Sequence, residues 1–325
     1  MRMKRIKADL EDGVAVYHCI GRVVGGEFLL GENEREVFVR LLKRHAEFAG
    51  VQVVSYCIMS NHFHLLLRFP SREPTDRELY QRVKKFYPEK SKLREVIETF
   101  YKDHKKAPTS LRERFLRRMR DLSYFMGELK QSFSRWYNKE HKRFGTFWSE
   151  RFRSVLIEPA PEMIEKVAAY IDLNPIRGGL VEDPKDYRWC SYAEAVAGGK
   201  DARKGIQEFS ESQSWRAAHQ NYRKRLFVKA AVSGGSDKIA LDRKAIREVI
   251  EQGGELSMAE VLRLRVRYFS DGVALSSNEY VNGIFKQLRD RFGEKRKTGA
   301  KKLDLRSKEI TRVRVLRNLK KEVVG

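Results

Sequence analysis

The sequence predicts an α+β protein, and three observations predict it. Runs rich in β-branched and aromatic residues at 14–24, 51–59 and 62–69 have the length and composition of strands. Segments at 33–50, 120–141 and 161–175 repeat their apolar residues at the helical period. A turn followed by a fourth strand is expected in "FGTFWSERFRSVLIE" (144–158). The chain has 325 residues, which allows one large domain or two smaller ones.

The elements follow in order. "VAVYHCIGRVV" (14–24) is a strand that ends at the turn residues Gly25-Gly26. In 33–50, Val37, Leu41, Leu42 and Ala46 share a helical face, and Gly50 stops the helix. "VQVVSYCIM" (51–59) and "HFHLLLRF" (62–69) form a hairpin about Ser60-Asn61. Residues 71–120 are charged, carry Pro74, Pro88 and Pro108, and are expected to be a helical insertion. The helix over 120–141 places Leu122, Phe125, Met126, Leu129, Phe133 and Trp136 on one face. The helix over 161–175 is expected to end at Asn174-Pro175, because proline pushes the preceding residue out of the helical region. "GGKDARKG" and "SGGSDK" mark 199–237 as a linker. Three helices are expected beyond it, in a basic C-terminal region over 238–325.

Charge narrows the function. The chain carries 67 Lys and Arg against 44 Asp and Glu, a net +23. Such a field concentrates polyanions, so nucleic acid is the leading partner. A membrane surface is the rival, but the chain has no long uncharged apolar stretch. The N-terminus is basic and lacks the apolar core of a signal peptide, so a soluble cytoplasmic protein is expected. Cys19, Cys57 and Cys190 are odd in number and far apart, and indicate neither a disulfide framework nor a structural zinc site.

The chemistry is expected in "SYCIMSNHFHLLL" (55–67). Residues i and i+2 of a strand share a face, so His62 and His64 present two imidazoles side by side. Two satisfied core histidines are the plain reading; a metal platform is the other. Histidine-rich hydrolases also use such a pair, but the remaining histidines, His18, His45, His104, His141 and His219, mostly fall in charged helical stretches. On the helix over 161–175, Tyr170 and Asn174 stand four apart on one face, among small residues that leave room for another molecule. A metal on His62, His64 and the Asn174 amide oxygen would polarise a phosphate beside the Tyr170 hydroxyl. Spacing alone does not choose Tyr170 over Tyr124 or Tyr137.

"YCIMSNHFHLLL" resembles the His-hydrophobic-His (HUH) motif of the single-tyrosine transposases. With "GTFWSERFRSVLIE" and "AAYIDLNPIRGGLVEDPKDYRW", the chain more narrowly resembles the REP-associated tyrosine transposases over roughly residues 1–195. The resemblance implies a ferredoxin-like antiparallel sheet with packed helices, occupying 1–198. It implies cleavage and rejoining of single-stranded DNA, often beside a hairpin, through a 5′-phosphotyrosine. It implies a magnesium or manganese ion, no nucleotide cofactor, and a bacterial protein at the nucleoid, monomeric or a homodimer. By position, Tyr170 becomes the nucleophile, His62 and His64 become ligands and Asn174 the third ligand. The insertion at 71–120 and the region after 200 depart from the shortest members.

Single strands are usually held by a basic groove with aromatic platforms. Residues 114–153 interleave the two types. Phe125, Leu129, Phe133 and Trp136 keep the helical period and are assigned to the core. Arg143, Trp148, Arg151 and Arg153 fall in or just after a turn and are the candidates for DNA contact. Segments 256–269 and 277–292 are a candidate helix-turn-helix pair, although "SDGVALSS" is long for its turn. Two other readings remain: a DNA-binding regulator that has lost catalysis, and an RNA-binding protein with no RNA motif to support it.

Overall fold

The computed structural model describes residues 7–8, 13–227, 262, 267–302 and 313–316. Strand β1 (Ala15–Arg22) leads into α1 (Glu32–Ala49), then into the hairpin β2 (Gln52–Ile58) and β3 (His62–Phe69). The insertion forms α2 (Asp76–Phe86), α3 (Lys92–His104) and α4 (Thr109–Arg120). The chain returns through α5 (Leu122–Glu140) to β4 (Arg153–Ile157). The order β2-β3-β1-β4, antiparallel throughout, is that of a ferredoxin-like sheet with α1 and α5 as its two crossover helices. The α+β expectation therefore holds.

Local chemistry places the ends of these elements. Gly50, in the left-handed region at φ 67°, ends α1. Thr75 and Glu78 form a reciprocal capping box at the start of α2. The Asp121 carboxylate accepts from the Ser123 and Tyr124 amides and starts α5.

Alternation along the strands splits the core in two. Tyr17, Cys19, Phe63, Leu65 and Leu67 pack with Phe38, Leu42, Phe125, Leu129 and Phe133 of α1 and α5. Val16, Leu66, Val155 and Ile157 face the other way, onto α6 (Pro161–Asp172). After α6 come α7 (Asn174–Arg177), α8 (Ser191–Val196), α9 (Lys200–Phe209) and α10 (Trp215–Phe227). Helix α6 is enclosed between the sheet and α9 and α10, so Ala168 and Ala169 are fully buried. Small residues at these positions let helix and sheet approach; they do not open a surface for another molecule.

Three expectations about the chain after 160 are corrected. The helix ends at Asp172, Leu173 breaks it, and Pro175 falls in the first turn of the short α7, a position where proline is tolerated. Residues 200–209 and 215–227 are helices where a linker was expected. Ala202, Ile206 and Phe209, then Ala218, Tyr222 and Leu226, form buried stripes that the glycine- and lysine-rich texture conceals. Gly205 allows α9 to close on β2: a Cβ there would lie 3.2 Å from the Val54 carbonyl, at the strand's register shift. Residues 228–237 lie outside the described residues.

The C-terminal region is not only helical. Beyond α11 (Arg267–Asp271), the apolar "VAL" of the expected turn forms β5 (Ala274–Ser276), parallel to β4. Helix α12 (Asn278–Gln287) follows, then β6 (Lys301–Lys302) and β7 (Arg314–Val315), which extend the sheet as β5-β7-β6. The helix expected at 242–252, and most of that at 256–269, lie outside the described residues.

Asp172 tests this packing. It is 1% exposed and accepts hydrogen bonds from the Tyr222 hydroxyl at 2.7 Å and the Tyr192 amide at 3.3 Å. Burial raises its pKa from 3.8 to about 7. Between these values the folded state binds the proton that the unfolded state has released, so this group's contribution to stability falls as pH rises from about 4 to about 7. Urea unfolding of the wild type and Asp172→Asn at both ends of the window should show the variant gaining relative stability with pH. A constant difference would mean that Asp172 ionises normally.

Candidate functional site

The site lies where β1 and β3 pass under α6. Ile20 pairs with His64 and Arg22 with His62, so His18, His62 and His64 share the α6 face of the sheet. Phe63 points to the opposite face, where its ring lies over Gly21; a Cβ on Gly21 would be 2.4 Å from that ring.

The imidazoles form a bonded row. His18 is fully buried and His64 is 5% exposed. His18 Nδ1 lies 2.7 Å from the Phe269 carbonyl oxygen, and His18 Nε2 lies 2.9 Å from His64 Nδ1. His62 Nδ1 lies 2.6 Å from the Asn61 side-chain oxygen. The His62 and His64 ring centres are 5.2 Å apart. Burial lowers the His18 pKa to about 4, and the nearby Arg177 charge pushes the same way. Burial, then the charges of His18 and His62, holds His64 well below the usual histidine range. Both are therefore neutral at physiological pH.

Tyr170 comes down from α6 onto this row. Its ring centre is 6.1 Å from that of His64 and 6.0 Å from that of His18. Phe269 stacks on the tyrosine ring at 4.7 Å and 12°. The Arg177 guanidinium carbon stands 4.1 Å from the centre of the same ring. Arg177 also donates to the Tyr170 and Leu262 carbonyls. The result is a tyrosine only 2% exposed. Tyr137 is instead built into the aromatic core with Phe133 and Phe147, and Tyr124 is 44% exposed beside the insertion. Of the three tyrosines, Tyr170 is the one set against His64.

Asn174 is 8% exposed, one turn beyond Tyr170. Its amide nitrogen donates to the Ile171 carbonyl at 3.0 Å and the Tyr170 carbonyl at 3.2 Å. Pro175 cannot give Ile171 the usual helical N–H, and the side chain replaces it. Because carbonyls only accept, the amide nitrogen faces them and Oδ1 is turned away. Among the described residues there is no metal-binding group of three or more His, Cys, Asp or Glu. His18 is not a third donor, since both its nitrogens are engaged. The residues fit a divalent ion only if an amide oxygen completes the pair His62 and His64, and Asn174 Oδ1 has that chemistry.

The DNA candidates divide. Trp148 packs against Phe38, Phe63 and Phe147 and donates to the Lys130 carbonyl at 3.1 Å, so its indole belongs to the core wall. Arg143 is half-buried past the end of α5, beside Tyr137. Arg151 and Arg153 are exposed, and Arg153 pairs with Glu150 at 3.2 Å. Their segment adjoins the histidines: Ser149 donates to the Arg22 carbonyl at 3.0 Å, and Arg153 pairs in register with Ile20.

Sequence reasoning missed His18, Arg177 and Phe269. For His18 a signal existed. It lies in a run already expected to be a strand, at the same alternation as Ile20 and Arg22, and not in a charged helix. Phe269 is distant in sequence and had no local signal.

No family model matches the chain, and no curated protein matches it. Among solved structures, a REP-associated tyrosine transposase bound to a REP hairpin is similar at 12% identity and a TM-score of 0.34, over 61% of this chain and 86% of that one. A likeness this distant assigns no role to individual residues. Among the described residues no helix is long and apolar enough to cross a membrane.

The stack on Tyr170 is directly testable. Nitration by tetranitromethane, mapped by mass spectrometry, should be slow at Tyr170 in the wild type and at least about tenfold faster in Phe269→Ala, with Tyr124 unchanged as the exposed control. Equal rates at Tyr170 in both proteins would show that Phe269 does not shield it.

Proposed function

We propose that the chain is a metal-dependent single-stranded DNA endonuclease and strand transferase of the HUH transposase class, acting at hairpin-containing DNA. The observation that carries this reading is the packing of the Tyr170 ring against His64, beside His62, with ring centres 6.1 Å apart. A tyrosine, a histidine pair and an amide oxygen are the parts such a reaction needs.

The roles follow from chemistry. Tyr170 Oη attacks phosphorus and loses its proton; the P–O3′ bond breaks, and the departing 3′ oxygen takes up a proton. The 5′ side of the break remains on tyrosine. Because the phosphodiester character is kept, a 3′ hydroxyl can reverse the step without ATP. His62, His64 and Asn174 Oδ1 would hold magnesium or manganese. The ion, when bound, supplies Lewis-acid stabilisation of charge on the phosphate. Arg177, stacked on the Tyr170 ring, sets a positive charge beside the place where charge develops in the reaction. Arg151 and Arg153 are exposed next to β1 and would be available to phosphates of a bound strand.

A second reading has its own support. Tyr170 is 2% exposed, so it attacks DNA only after its surroundings, Phe269 among them, move. A DNA-binding protein without catalysis would have no need of that movement.

One experiment separates the two. Labelled single-stranded oligonucleotides from DNA flanking the gene are incubated with the wild type or Tyr170→Phe, with manganese or with chelator. Catalysis predicts a protein-sized labelled band on denaturing gels that needs both metal and Tyr170. Arg177→Gln should slow its appearance by about a hundredfold. Tight binding without a band, over all hairpins tried, would establish the non-catalytic reading. A band that survives Tyr170→Phe would place the nucleophile elsewhere.

A further inference from the structure

The row of imidazoles contains a direction that can be read from which atoms are able to donate. The Phe269 carbonyl accepts only, so the proton in the 2.7 Å contact belongs to His18 Nδ1. In a neutral imidazole the other nitrogen is then an acceptor. His18 Nε2 therefore receives the proton of the 2.9 Å contact, which sits on His64 Nδ1. With Nδ1 protonated, His64 keeps its lone pair on Nε2. His62 reaches the same state separately, since the Asn61 side-chain oxygen accepts from its Nδ1 at 2.6 Å.

We infer that His18 is a positioning residue for the metal site: together with the Phe269 carbonyl it holds His64 in the Nδ1–H tautomer, with Nε2 presented to the ion. The inference rests on the metal role proposed above for His62 and His64. A ligating histidine is normally oriented by a partner on its other nitrogen. Here the partner is a second histidine, and its own orientation is set by a main-chain oxygen 251 residues away in sequence. The two rings lie 5.1 Å apart at 25°, close to parallel, so packing holds His18 in line as well. The C-terminal segment at 269 thereby contributes to the site without offering it a side-chain ligand.

The test reads the tautomer itself. With seven histidines in the chain, two-bond proton–nitrogen correlation of metal-free, 15N-labelled full-length protein at about pH 7.5 is interpretable. His64 is assigned by comparison with His64→Gln. The wild type should show His64 protonated on Nδ1. His18→Phe keeps a ring but removes the acceptor; His64 should shift toward the Nε2–H form, and manganese affinity by titration calorimetry should fall about 10–100-fold. His18→Gln, whose amide oxygen can accept from Nδ1, should restore the tautomer and most of the affinity. Thermal melts of all three report folding separately.

A wild-type His64 protonated on Nε2 would overturn the inference with no variant needed. So would a His18→Phe protein with unchanged tautomer and manganese affinity. The Nδ1–H tautomer in a protein that never forms a DNA adduct would sink the proposed reaction and leave this inference standing.

Discussion

The pairing register of β1 and β3 is the constraint on which the site depends. Side chains alternate along both strands, so a slip of one residue would send His62 and His64 to the face covered by α1 and α5. The opposite face keys the register. The Phe63 ring occupies the space where Gly21 lacks a Cβ, and it packs there with Phe38 and Trp148. Only glycine at position 21 leaves room for that ring. An apolar contact on one face of the sheet thus fixes which polar groups meet on the other.

That other face would be costly without its partners. Buried imidazoles and a buried carboxylate, with a half-buried arginine beside them, are tolerated only when hydrogen-bonded. Several of the bonds come from the C-terminal region: Phe269 supplies a carbonyl to His18, and Leu262 supplies one to Arg177. The anchor of this region is small. Strand β5 meets β4 over two residue pairs, and the Leu156 amide donates to Val273 at 2.9 Å. The Glu158 carboxylate adds bonds from Ser276 and from the Ser277 amide and hydroxyl, which tie the start of α12 to the end of β4. The histidine row and the sheet extension consequently hold one another in place.

Much of the fold was legible because it obeys local periodicity. The hairpin at 51–69 and the helix over 122–140 both carry patterns that a single segment can display. The helices at 200–227 were less legible. Gly205 and a run of charges interrupt their stripe, and the meaning of that glycine depends on Val54, far away in sequence. Strand β5 was read as a turn because three residues have no period, and only its partner β4 makes them a strand. Within the site, the residues singled out by motif were those whose spacing is local: His62 with His64, and Tyr170 with Asn174. His18, Arg177 and Phe269 join them through register and tertiary contact: alternation could place His18 on a strand face, but only the pairing of β1 with β3 sets it beside His64. Trp148 shows the reverse ambiguity: a basic and aromatic stretch looks alike in sequence whether its aromatic faces DNA or packs on the core, as this indole does.

The burial of Tyr170 is compatible with catalysis on energetic grounds. Arg177 on α7 and Phe269 both lie against the tyrosine ring, and Phe269 is the one of the two that comes from the distant C-terminal region. Its side chain contributes about 1.5–3 kcal/mol through burial. The stacked pair adds about 0.5–1.5 kcal/mol. Displacing Phe269 therefore costs about 2–4.5 kcal/mol, which at about 1.4 kcal/mol per tenfold leaves a displaced state of roughly one molecule in thirty to one in sixteen hundred. Under the proposed function, the binding of a single strand to a chain of net charge +23 would supply the energy to repopulate that state. The carbonyl bonded to His18 is main chain, whereas the ring that shields Tyr170 is side chain. Rotation about χ1 of Phe269 moves its ring without breaking the Phe269–His18–His64 row, so the packing on Tyr170 and the orientation of the histidines can change independently.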